Sequence, residues 1–259
     1  MDGEKVILRK EGNIALITIN REKAYNALNS AIMERLGEIF SDLEGDQGSM
    51  VVVITGAGQK AFVAGADVRE IRDAGDQRTE LIAKGQEVFD RIRNSSKAVV
   101  AAVNGFALGG GCELAMSCDI RFASENATFG LPETKLGLMP GYGGTQLLPR
   151  LVGVGMAKYL IFSGEMISAH EAHQCGLVQR VCTSENLIEE ATALARQIAS
   201  NGPFAVKACK RAIHGGAALS LGDALKLELE IYDKVARSAD AEEGMAAFLE
   251  KRAPTFMGK

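Results

Sequence analysis

KAVVAAVNGFALGGGCELAMSCD, residues 97 to 119, decides the fold. Its first part, KAVVAAVNG (97 to 105), is a short apolar run with no polar alternation, the pattern of a strand covered on both faces. The remainder packs three consecutive glycines and then turns at once into an apolar helical pattern. Working outward, MVVVITG (50 to 56) is a second such run, and Leu81, Val88, Phe89 and Ile92 mark a helix between the two. Strand, crossover helix and strand in that order predict an α/β domain with a largely parallel sheet. Residues 5 to 9 and 14 to 19 alternate around Glu11-Gly12-Asn13 and predict a hairpin, after which Ile32, Leu36, Ile39, Phe40 and Leu43 repeat at helical spacing. DIRFA (119 to 123) predicts another strand, followed by the turn-rich GLPETKLGLMPGYGGT (130 to 145).

The last third reads as helix, at about 184 to 200, 203 to 214, 220 to 236 and 240 to 251. Gly202-Pro203, Gly215-Gly216 and an Asp240-to-Glu243 capping-box spacing punctuate it. No repeat or linker divides the chain. The pattern therefore predicts a sheet-rich core over 1 to 195 that carries the site, and a helical region over 196 to 259 that covers it or forms an interface.

At 259 residues with 47% hydrophobic residues the chain can bury a large core. Its 33 acidic and 29 basic residues leave a formal charge of -4, which gives no broad attraction to nucleic acid or anionic membrane. Any polyanionic ligand must be met by local cations or backbone amides. Five unevenly spaced cysteines in apolar contexts predict free thiols and a reducing, cytoplasmic setting. MDGEKVILRKEGN (1 to 13) has no secretory or transit character, and no segment is apolar for long enough to span a membrane.

Several motifs invite other chemistry and fail on context. TGAGQKA (55 to 61) scans as G-x-G-x-x-A, with Asp73 or Asp76 as the ribose acid, but the turn Ala64-Gly65-Ala66-Asp67 follows too soon for the required helix. His170 and His173 are one residue short of H-E-x-x-H spacing and have no evident third ligand. No P-loop, nucleophile elbow or Cys-x-x-Cys pair occurs.

The triple glycine is the informative loop. Backbone N–H groups at a helix start are unpaired, point outward and carry the positive end of the helix dipole. Glycine there lets a phosphate or a developing enolate oxygen approach the main chain, although tight packing of helix on strand would use the same residues. AFVAGADVREI (61 to 71) supplies a second strand-to-helix turn, in which Asp67 reads equally well as a helix cap. Two such turns at one edge of a parallel sheet converge on one crevice, and two inward amides there would form an oxyanion hole. Glu113 falls in the first turn after the glycines, among Cys112, Leu114, Ala115 and Met116, where desolvation raises a carboxyl's pKa toward neutrality. Glu133 follows Pro132 in a loop with few other charges. Two carboxyls held close push their proton affinities apart, so one can hold a proton while the other accepts one.

NGFALGGGCELAMSCDIRFA (104 to 123) and FGLPETKLGLMPGYGGTQ (129 to 146), with AFVAGADVREI, REKAYNAL (21 to 28) and FLEKRAPTF (248 to 256), resemble the enoyl-CoA hydratase (crotonase) family. The resemblance implies an α/β crotonase (ClpP-like) fold of repeated ββα units, a C-terminal helical trimerisation region, and a homotrimer or homohexamer. It implies a hydro-lyase for the reversible syn hydration of a short 2-enoyl-CoA in fatty-acid β-oxidation or related acyl-CoA metabolism. Coenzyme A is then part of the substrate, and no separate cofactor or metal is expected. Motif by motif, the resemblance puts the oxyanion-hole amides at Ala66 and Gly110 and the catalytic carboxyls at Glu113 and Glu133. It puts coenzyme A contacts at Lys23, Ala24, Ala64, Ala66 and Asp67, with Lys251 serving a neighbouring subunit. Leu131 and Tyr142 depart from the family's common glutamine and its alanine or phenylalanine, positions that bear on acyl preference. A Δ3-Δ2 enoyl-CoA isomerase using Glu133 alone is the alternative within the family. Family members that bind RNA do so through a lysine-rich helix, whereas residues 30 to 46 here carry Glu34, Glu38, Asp42, Glu44 and Asp46 against Arg35.

Overall fold

The computed structural model describes residues 4 to 258, so the outermost ends of the two sequence-derived regions, at 1 and 259, lie outside the described residues. A six-stranded sheet runs in the order β1 (Val6–Glu11), β2 (Ile14–Ile19), β3 (Val51–Gly56), β5 (Ala98–Val103), β7 (Ile120–Ser124) and β10 (Arg180–Cys182). Only the β1–β2 hairpin is antiparallel; every later pairing in this sheet is parallel. The reason β3 and β5 read as unbroken apolar runs is visible in their two faces. Val52, Ile54, Val99, Ala101 and Val103 join one core with α1 (Ser30–Gly45) and α3 (Arg78–Arg93), through Leu36, Phe40, Phe89 and Ile92. Val51, Val53, Val100 and Ala102 face the other way, onto Leu187, Ala191 and Ala195 of α8 (Leu187–Ala199).

A second, four-stranded sheet runs β4 (Ala61–Val63), β6 (Phe106–Leu108), β8 (Thr128–Gly130), β9 (Met166–Ser168), with the first three parallel. Each of β4, β6 and β8 directly follows a strand of the larger sheet, and each leads into a helical turn. They are followed respectively by α2 (Val68–Asp73), by α4 (Gly110–Ser117) and by a 3-10 helix over Pro132–Leu136. This is the expected ββα repeat. Because β4, β6 and β8 are adjacent and parallel, the three turns that leave them lie side by side at one sheet edge.

The chain continues through α5 (Gly144–Val152), α6 (Val154–Ser163) and α7 (Ala169–Gln174), and past α8 into α9 (Pro203–Gly216), α10 (Leu221–Ala236) and α11 (Ala239–Glu250). Residue 195 lies inside α8, on the face packed against the sheet, so we place the division between regions at the turn before Pro203. The Asp240-to-Glu243 capping box does not form. Ser238 caps α11 by accepting from the Ala241 N–H, and the buried Asp240 instead accepts from the Met257 and Gly258 N–H groups at 2.7 and 2.9 Å. TGAGQKA leads into β4 and not into a helix, which removes the dinucleotide fingerprint. His170 and His173 are both exposed on α7, and the His173 Nδ1 pairs with the Val178 carbonyl oxygen.

Candidate active site

Three turns build the site. After β4, Leu28 brackets Ala66: the Leu28 N–H donates to Gly65 O at 2.8 Å and Leu28 O accepts from the Asp67 N–H at 2.7 Å. In that parallel bridge Ala66's own N–H is turned to the opposite side. After β6, Gly109 takes φ 51° and ψ -123° and Gly110 begins α4, where a first-turn N–H has no intrahelical acceptor. A Cβ on Gly110 would lie 3.3 Å from Ala66 N, so the two amides are neighbours. On Gly111 it would overlap the Val63 carbonyl oxygen. Close approach of α4 to β4 therefore requires glycine, and that approach sets the amides together.

Glu113 is 1% exposed. Its Oε1 accepts from the Tyr142 N–H at 2.8 Å and from the Gly144 N–H, the first of α5, at 2.7 Å. Those amides favour the carboxylate, but burial outweighs them, and with the Glu133 charge nearby the pKa is pushed up to about 7. A carboxyl so poised can both take and give a proton at neutral pH.

Glu133 sits on the 3-10 helix after β8, half-buried and not in an irregular loop. A Cβ on Gly109 would lie 2.8 Å from its Oε1, which puts this carboxyl against the glycine turn. Its Oε2 is buried and takes part in no hydrogen bond among the described residues. Burial raises its pKa as well. An ionised oxygen in that setting is costly, which is the cause of the upward shift.

The rim is built from the segment that precedes α1. Lys23 and Ala24 lie in a 3-10 turn whose next residues, Tyr25 and Asn26, both have positive φ. The Ala64 N–H donates to Tyr25 O at 3.0 Å, and Arg21 pairs with Asp67 at 2.7 Å, which holds that carboxyl below its ordinary range. Asp67 also caps α2, accepting from the Arg69 N–H. Lys23, Ala24, Ala64, Ala66 and Asp67 are thus brought to one rim. Lys251 is not: it caps the far end of α11, and among the described residues nothing joins it to that rim. Arg252 beside it is committed to Glu243 and Glu250.

Two contributions escaped the sequence reading. Asn26, fully buried, accepts from the Arg21 N–H and donates to Ala57 O and Ala61 O, tying the rim to β4. The amides of Tyr142 and Gly144 hold Glu113, and a backbone donor has no residue type to betray it; the only cue was the glycine-rich GYGG turn. Beside the amide pair a cleft of about 540 Å³ opens, with Leu28, Met33, Ile71, Leu81, Val88 and Tyr142 among its walls. No group of His, Cys, Asp and Glu among the described residues could hold a metal ion, and no described helix is long and apolar enough to cross a membrane.

The enoyl-CoA hydratase/isomerase family model matches residues 9 to 259. A short-chain-enoyl-CoA hydratase from Clostridium acetobutylicum is 48% identical over 253 residues, covering 97% of each chain. A crotonyl-CoA hydratase from Syntrophomonas wolfei is 45% identical, covering 99% of each. Among solved structures, an enoyl-CoA hydratase from Bacillus anthracis superposes with a TM-score of 0.94 at 41% identity, over 99% of this chain and 100% of that one.

Proposed function

The chain belongs to the enoyl-CoA hydratase/isomerase family, and from that premise we propose that it catalyses the reversible hydration of a 2-enoyl-CoA to a 3-hydroxyacyl-CoA. The observation that carries the reading is a buried carboxyl, Glu113, with a pKa pushed up to about 7, near a half-buried carboxyl, Glu133, that lies against the glycine turn beside the neighbouring amides of Ala66 and Gly110. In this reading the two N–H groups bind the thioester oxygen and stabilise the enolate charge of the transition state, each contributing about 3 to 4 kcal/mol. Glu113 takes a proton from water as its oxygen bonds to C3, and Glu133 delivers a proton to C2. One water is consumed, and the same groups run the reverse elimination. Each carboxyl contributes about 100- to 10000-fold.

Coenzyme A enters as part of the substrate, over the rim of Lys23, Ala24, Ala64, Ala66 and Asp67, and the proposed chemistry uses no separate cofactor. Free, largely buried cysteines suit a reducing cytoplasmic setting. The C-terminal helices expose Leu221, Leu225, Leu229, Tyr232, Phe248 and Leu249, an apolar surface suited to burial between copies in a trimer or a dimer of trimers. Light scattering tests that point: the Leu225→Lys/Leu229→Lys variant should lose mass relative to the parent, and a parent that is already monomeric would contradict it.

The activity is tested with a panel of 2-enoyl-CoA and 3-enoyl-CoA esters. Loss of the conjugated thioester absorbance from crotonyl-CoA, with water uptake, is expected. Migration of the double bond in 3-enoyl-CoA with no hydration of any 2-enoyl ester would establish the isomerase alternative instead.

A further inference from the structure

Helix α4 begins at Gly110 and carries Glu113, and a buried cation closes its other end. Arg121, the second residue of β7, is 3% exposed and is the one buried cation among the described residues. Its side chain there donates only to main-chain carbonyls. The Nε donates to Leu177 O, in the turn after α7, at 2.6 Å; the Nη1 donates to Cys118 O at 2.8 Å and more weakly to Ala115 O at 3.4 Å. Ala115 lies in the last turn of α4 and Cys118 is its cap. The adjacent acid, Asp119, is committed elsewhere, to the Val99 N–H at 2.8 Å and to Lys210 at 2.7 Å. Burial pulls the Arg121 pKa down, yet a guanidinium keeps its proton in proteins, so an ion without an acid partner sits on the negative end of a helix dipole. Its main chain is held as well: the Arg121 N–H donates to Gln179 Oε1 at 2.9 Å, and the Gln179 N–H donates to Arg121 O at 3.0 Å.

We propose that Arg121 is a positioning residue for the reaction: its buried charge, seated on the carbonyl end of α4, strengthens the pull of the Gly110 N–H on the thioester oxygen at the other end. The inference rests on the hydration reading above. Satisfying the carbonyls does not by itself require a cation. The neutral Ser117 hydroxyl donates to Glu113 O at 2.9 Å and the Cys118 thiol to Leu114 O at 3.4 Å, in the same two turns. A buried ion is costly to desolvate, so its charge is the feature that hydrogen bonding leaves unexplained. The eight residues of α4 span about 12 Å, which puts the guanidinium on the order of 15 Å from an oxygen held at Gly110. With an effective dielectric constant of about 20, a unit charge at that separation changes the rate about sixfold as negative charge develops on the oxygen. That charge is largest in the transition state, so the effect falls on kcat more than on KM.

The test compares Arg121→Met, Arg121→Gln and Arg121→Lys in the full-length protein, with circular dichroism checking the fold. Two quantities are read: kcat and KM for crotonyl-CoA, and the infrared carbonyl stretch of bound butyryl-CoA carrying ¹³C at the thioester carbonyl. The two neutral variants should lower kcat by about sixfold with KM within about threefold of the parent, and Arg121→Lys, which keeps the charge, should stay within about twofold. The parent should pull the bound carbonyl stretch below its value in free butyryl-CoA; the neutral variants should lose part of that shift and Arg121→Lys should keep it. Folded neutral variants with kcat within about twofold of the parent would overturn the proposal, as would a fall in kcat shared equally by Arg121→Lys or unaccompanied by any change in the stretch. If neither neutral variant folds, the guanidinium serves the fold alone and the proposal is overturned. If the parent hydrates no 2-enoyl-CoA at all, the hydration reading fails, and the infrared shift still decides for Arg121; if it hydrates them and neither kcat nor the stretch moves, this assignment alone fails.

Discussion

A Cβ added to Gly111, at the head of α4, would overlap the Val63 carbonyl oxygen, whereas one added to Gly222, in α10, would meet nothing within 4 Å. The two regions use their sequence in opposite ways. At the head of α4, backbone approaches backbone, and the glycines, Glu113 and the turn of Ala66 are fixed by that approach. At Gly222 the helix backbone has open space around it, and the C-terminal helices leave apolar side chains uncovered: Leu221 is 76% and Phe248 83% exposed. The proposed chemistry therefore draws on residues of one chain, while the exposed apolar surface proposed as an interface lies elsewhere. On the proposed reading, activity and assembly should be separable by mutation.

The largest effect falls on the first region. Glu133→Gln removes the carboxyl proposed to protonate C2 and should lower kcat for crotonyl-CoA by about 100- to 10000-fold, read as the rate of absorbance loss. Next is the packing itself. Gly111→Ala must push α4 off β4, and urea unfolding should show a loss of about 3 kcal/mol.

A pH effect of similar size should mark Glu113. Folding raises its pKa from 4.5 to about 7, so the folded chain holds a proton that the unfolded chain has released. Stability linked to this group is fully present below about pH 4.5 and is lost as pH rises through 7. Glutamine mimics the neutral form, so Glu113→Gln should match the parent at pH 4 and exceed it by about 3 kcal/mol at pH 8. A stability difference that does not change between those pH values would contradict the assigned burial cost. The smallest effect belongs to the second region: Gly222→Ala should leave activity alone and stabilise by about 0.5 kcal/mol, because alanine is the better helix residue where nothing obstructs it.

MVVVITG and KAVVAAVNG announced buried parallel strands because both faces of β3 and β5 are covered, and the glycine triplet announced a strand-to-helix turn. The smaller sheet was not legible from periodicity, since three-residue strands such as β4, β6 and β8 are too short to show a period of two; only the family resemblance implied it. Yet that sheet is what sets the turns of Ala66, Gly110 and Glu133 side by side. The Asp240 capping box misled because a four-residue spacing cannot reveal that the carboxylate will serve the returning C-terminal segment, at Met257 and Gly258. Tyr142 stood out as a departure in the glycine turn, but its ring packs against Gly85 and Gly110, residues far apart in sequence.

The proposed activation of water by Glu113 for attack at C3, with Glu133 protonating C2, can be tested by turnover of crotonyl-CoA in ¹⁸O-labelled water. The product should be 3-hydroxybutyryl-CoA labelled at the C3 hydroxyl, formed about 100- to 10000-fold more slowly by Glu113→Gln than by the parent. Unlabelled product from the parent, or labelled product formed by Glu113→Gln within about threefold of the parent's rate, would contradict it.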